Sequence, residues 1–134
     1  MARILIIDDD PDIVDGLRLI LESAHHEVVT KGDTANLLQE VARIDPDLVI
    51  LDVIFPGDPQ AGFKAARALA RDPALRHIPV LMLSAVNTQS DLAFGFSERD
   101  ISEDFMPVAA FLDKPVTPQA LLAQVERLLR PAAR

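Results

Sequence analysis

Charged side chains stand at the ends of three short apolar runs in this sequence. Arg3-Ile4-Leu5-Ile6-Ile7 runs into Asp8, Asp9 and Asp10; Leu48-Val49-Ile50-Leu51 runs into Asp52; Ala109-Ala110-Phe111-Leu112-Asp113 runs into Lys114 and Pro115. If the runs are neighbouring parallel strands, carboxylates and an ammonium meet at one edge of one sheet. Carboxylates packed that closely repel one another, and a divalent cation relieves the repulsion. A lysine beside them holds an incoming anion. A hard metal and a phosphoryl group are the chemistry that uses both.

The elements that must position these groups alternate along the chain. Residues 3–8 read as a buried strand, being a short β-branched apolar run. Residues 12–24 place Ile13, Val14, Leu17, Ile20, Leu21 and Ala24 at helical spacing, with Asp10-Pro11 as the start signal. Residues 27–31 suit a second strand. Residues 34–44 read as a second helix, entered at Gly32-Asp33 and stopped at Asp45-Pro46. Residues 48–52 are the third strand, and a loop rich in proline and glycine runs from Val53 to Gly62. Residues 63–71 form a third helix, Val80–Leu83 a fourth strand and residues 109–113 a fifth. Thr117 and Pro118 open a closing helix over 118–130, with Leu121, Leu122, Val125, Leu128 and Leu129 facing inward. Strand and helix in alternation predict an α/β sheet covered on both faces, with right-handed crossovers. In such sheets ligands bind beyond the carboxyl ends of strands, near the switch point in strand order. The charged groups fall there.

Composition narrows the chemistry. The chain has 134 residues, 49% of them apolar, enough for one domain with its own core. Its formal net charge of −8 argues against direct nucleic acid binding, which calls for a basic stripe. There is no cysteine, which excludes thiol catalysis, thiolate metal sites and disulfides. No apolar run approaches the ~20 residues of a membrane span, and the amino terminus is not a signal peptide, so no membrane role and a cytoplasmic location are expected. Tyrosine and tryptophan are absent, which leaves little for stacking on bases.

With "ILIIDDDPDI", "DLVILD" followed by Pro56, "PVLMLSA" and "FLDKPV" in that order on those elements, the chain resembles the receiver domains of two-component response regulators, the CheY-like modules that accept a phosphoryl group. The resemblance covers essentially the whole length. It implies a doubly wound, flavodoxin-like five-stranded parallel sheet of order 2-1-3-4-5, in a single receiver domain over 1–134 without an output domain. It implies that Asp52 is the phosphoacceptor and that Mg²⁺ is held by Asp9, by Asp8 through water, by Asp52 and by the backbone carbonyl of Ile54. It makes Lys114 the partner of the phosphoryl oxygens, with Pro115 after a cis bond, and makes Ser84 and Phe111 the switch pair. The implied partners are a sensor histidine kinase or a histidine phosphotransfer protein, with an unnamed downstream protein target. The protein is then a signalling phosphoacceptor, not a turnover enzyme, and a monomer or weak homodimer. Ile54 and Val86 are apolar where receivers border the path of the hydrolytic water, which predicts slow loss of the phosphoryl group.

Two departures stand out. The loop after Asp52 reaches Gly62 about two residues late, and the stretch from Ser84 to Lys114 is longer by roughly two helical turns. The longer stretch, Val86–Val108, holds Phe94, Phe96 and Phe105 among Asp91, Glu98, Asp100, Glu103 and Asp104. It reads as a distorted helix, a partner-specific surface, or both. An aspartyl-nucleophile phosphatase would carry a second aspartate two residues after the nucleophile, where this chain has Ile54. A flavodoxin-like ligand binder would carry a glycine-rich loop after the first strand, where this chain has three carboxylates. Asp10, Asp12, His25, His26 and His77 read as surface or helix-start residues.

Overall fold

A computed structural model describes residues 2–52, 61–84, 110–113 and 117–129. The elements run β1 (Arg3–Ile7), α1 (Pro11–Ser23), β2 (Glu27–Lys31), α2 (Leu37–Ile44), β3 (Leu48–Asp52), α3 (Ala61–Arg71), β4 (Val80–Ser84), β5 (Ala110–Asp113) and α4 (Pro118–Leu129). The strands pair in parallel in the order β2-β1-β3-β4-β5. Chain order reverses between β1 and β3, so the switch point lies between the strands that end in Asp8 and Asp52.

The two faces of the sheet carry separate cores. Leu5, Ile7, Val49, Leu51, Val80 and Met82 pack with Leu37, Val41, Ile44, Ala65, Ala66 and Leu69 of α2 and α3. Ile4, Ile6, Leu48, Ile50, Leu81 and Leu83 pack with Leu17 and Leu21 of α1 and Leu121 and Val125 of α4. All five residues of β3 are buried, because its side chains alternate between two covered faces. That is why these strands are continuous apolar runs.

Helix ends follow local chemistry. Asp10 caps α1, with Pro11 at the first helical position. The same helix closes with His25 N–H donating to Glu22 O at 2.9 Å and His26 N–H to Leu21 O at 3.1 Å. This is a Schellman closure with His25 in the left-handed region at φ 70, a place usually given to glycine. Thr117 Oγ1 accepts the Ala120 N–H at 3.1 Å and caps α4, as its sequence position suggests.

The sequence places the second helix over 34–44, and the structure corrects its start to Leu37. Asp33 Oδ1 accepts the Ala35 N–H at 3.0 Å, and Asn36 sits at φ 53. That side-chain turn and the left-handed residue take the backbone out of the helix before Leu37. The third helix begins at Ala61, two residues before the predicted 63–71 span. The long Val86–Val108 stretch lies outside the described residues.

Candidate functional site

β1 and β3 are adjacent, with Ile7 in register with Leu51. The next residue on each strand is Asp8 and Asp52, so both carboxylates emerge side by side at the carboxyl edge. One oxygen from each of Asp8, Asp9 and Asp52 lies within 4.8 Å of the other two. Asp8 and Asp52 are 3% and 5% exposed, while Asp9 faces solvent. Two buried carboxylates therefore lie beside a third that is exposed.

Backbone bonds hold the first of these groups in place. The Asp8 N–H donates to Lys31 O at 3.1 Å, extending the β1–β2 ladder by one residue. Asp8 Oδ1 accepts the Asp10 N–H at 2.9 Å. Asp10 Oδ1 in turn accepts the Asp12 N–H at 3.0 Å and starts α1. At the end of β2, the Lys31 ammonium lies 3.2 Å from Asp33 Oδ1. The Ala35 N–H, and then Lys31, hold the Asp33 carboxyl below the usual carboxylate range.

The donor set fits a hard divalent cation. Mg²⁺ and Ca²⁺ take oxygen ligands, and three close carboxylate oxygens need a positive charge among them. Among the described residues, the arrangement lacks the nitrogen and sulfur donors that soft or borderline metals favour.

The other residues named from the sequence are placed less fully. Ser84 ends β4 in register with Asp113, and Phe111 lies in β5 in register with Met82. Asp52 is in register with Leu83, so Ser84 lies one residue further along the neighbouring strand. Ile54, Val86, Lys114 and Pro115 lie outside the described residues. Asp10 reads from sequence as part of a charged helix start, and the structure confirms the cap. The sequence reading missed the bond from the Asp10 N–H to Asp8, because the Asp10-Pro11 pair signals the helix cap and spacing along the chain does not show which oxygen that N–H meets. The three histidines divide: His25 and His77 are exposed, whereas His26 is half-buried and its Nδ1 accepts the Ala2 N–H at 3.2 Å.

The chain matches a family model described as the response regulator receiver domain over residues 4–126. It is 37% identical over 129 residues to the response regulator PleD of Caulobacter vibrioides, covering 96% of this chain and 26% of that protein. It is also 37% identical over 130 residues to the DNA-binding dual master transcriptional regulator RpaA of Synechocystis, covering 97% of this chain and 50% of that one. The chain thus spans a quarter to a half of these relatives. A crystal structure of a putative response regulator from Chloroflexus aurantiacus superposes with a TM-score of 0.79 at 29% identity, covering 99% of this chain and 98% of that one. These matches correct the expectation of no direct nucleic acid binding, because RpaA bears the name of a DNA-binding protein. The physical reason is one of scope. A net charge of −8 describes 134 residues, and it does not set what a protein twice as long binds. No described helix is long and apolar enough to cross a membrane.

Proposed function

The chain belongs to the response regulator receiver domain family of two-component signalling, and on that premise we propose that Asp52 is its phosphoacceptor, working with Mg²⁺ held by Asp8, Asp9 and Asp52. The observation that carries this reading is the convergence of those three carboxylate oxygens within 4.8 Å at the switch point of the sheet. When bound, Mg²⁺ supplies positive charge that screens the phosphoryl oxygens from the carboxylates.

The chain's own groups do the rest. An Asp52 carboxylate oxygen attacks phosphorus in line as the phosphorus–nitrogen bond of a phosphohistidine breaks. The imidazole nitrogen leaves with the electron pair and takes up a proton. Such transfer asks the protein mainly for position and charge, and the buried ends of β1 and β3 supply position. From the family resemblance we assign Lys114 to the phosphoryl oxygens, the Ile54 carbonyl to the metal, and Ser84 and Phe111 to the switch. A Ser84 hydrogen bond made only in the phosphorylated state would bias a two-state equilibrium by a few kcal/mol at most, which is the scale of such modules.

On this reading the protein signals by its own acyl phosphate and does not turn over esters, since Ile54 stands where a phosphatase of this type carries its general acid. Acetyl phosphate with Mg²⁺ should add the mass of one phosphoryl group to the wild type and nothing to Asp52→Ala. Equal mass gain in both proteins would remove Asp52 from the role.

A further inference from the structure

A third aspartate at the end of β1 has no part in the phosphoryl transfer just described. Asp10 is exposed, and it makes two hydrogen bonds in series. Its N–H donates to Asp8 Oδ1 at 2.9 Å, and its own Oδ1 accepts the Asp12 N–H at 3.0 Å at the start of α1. Pro11 reinforces the second bond. A proline disfavours helical backbone in the residue before it, and Asp10 is extended at φ −94, ψ 109. The side chain and the following ring therefore fix the Asp10 peptide against the helix, and that peptide's N–H is aimed at a buried carboxylate.

We infer that Asp10 is a positioning residue for the carboxylate cluster: its cap on α1 holds the N–H that orients Asp8 toward Asp9 and Asp52. The inference rests on the Mg²⁺-dependent phosphoacceptor reading. A backbone N–H to an ionised carboxylate is a charge-assisted bond, short and directional. Groups that orient a metal ligand from behind commonly matter by about 10- to 100-fold in metal affinity. Asp10 acts through a peptide bond, so its effect belongs at the lower end of that range. If Asp10 were only a helix cap, its loss would weaken α1 and leave the affinity of the folded protein unchanged.

The test is Mg²⁺ affinity of the full chain by calorimetric titration, at a temperature where every variant is folded, with Asp52→Asn as the site control. Asp10→Ala should weaken Mg²⁺ binding by about tenfold. Asp10→Asn keeps an equally good cap without the charge and should stay within about twofold of the wild type. The double variant Asp10→Ala/Gly16→Ala restores helix stability by another route and should still bind weakly. The inference is overturned if Asp10→Ala binds like the wild type, if Asp10→Asn is as weak as Asp10→Ala, or if the added alanine at position 16 recovers affinity. Wild type and Asp52→Asn binding alike, or neither binding, would instead overturn the reading of the site itself.

Discussion

Residues at the opposite, amino-terminal edge of the sheet show how single side chains shape this molecule. His26 Nδ1 accepts the Ala2 N–H, which requires the unprotonated ring nitrogen. Burial first, then the positive amino terminus and His25, hold its pKa below the ordinary 6.5. Arg3, Glu27, Asp45 and Asp47 also line this corner. A histidine whose folded pKa is depressed contributes stability that is present above the unfolded value and is lost as pH falls through the folded one. The urea midpoint should therefore begin to fall below pH 6.5, before the carboxylates titrate. His26→Asn should flatten that first limb; an unaltered limb would assign it to other groups. The carboxyls of Asp33 and Glu40, lowered by the Ala35 N–H and by Arg43 respectively, add a second loss at lower pH, below their ordinary values of 3.8 and 4.5. His25 poses the converse case. It occupies a left-handed position at φ 70 where glycine is unstrained, so His25→Gly should raise stability by about 1 kcal/mol in denaturant titration.

Among the elements, α1 both anchors one core and carries the tie to the site. Leu21 is fully buried against the sheet, and Leu21→Ala should cost about 2–5 kcal/mol. Gly16 lies in the same helix, and a Cβ built there meets nothing within 4 Å. Gly16→Ala should therefore add about 1 kcal/mol by helix propensity alone, read as a higher urea midpoint at unchanged slope. The strands and most helices were legible in the sequence because burial on both faces leaves continuous apolar runs such as Leu48–Leu51, and because α1 repeats its apolar positions with helical period. The start of α2 was not legible. Thr34-Ala35-Asn36 fits a helical period, and only the Asp33 turn and the left-handed Asn36 show that the backbone goes elsewhere. The same holds for the Asp10–Asp8 bond. Sequence spacing shows that two aspartates lie near one another, and only coordinates show which N–H meets which oxygen.

At the scale of the whole molecule, the site opposes the fold that builds it. The alternating pattern implies a parallel sheet with a switch point at the ends of its first and third strands, and the strand order brings Asp8, Asp9 and Asp52 together there. Without a cation, three carboxylates within 4.8 Å repel, and two of them are buried where screening is weak. Folding brings these charges together, whereas unfolding disperses them into water, so the repulsion subtracts from stability. Asp9 is the exposed member, and Asp9→Asn removes its charge with little change in packing. The ion-free variant should be more stable than the ion-free wild type by up to about 1 kcal/mol, the scale of interactions that involve a solvent-exposed charge. Magnesium should reverse the ranking. A ligand that binds only the folded state at 100 times its Kd adds about 2.7 kcal/mol, so the wild-type melting temperature should rise by several degrees. Asp9→Asn, short of one ligand, should rise much less. The signature is a crossing: the variant melts higher without Mg²⁺ and lower with it. Parallel curves, in which both proteins gain equally from Mg²⁺, would mean that Asp9 shares neither the repulsion nor the ion.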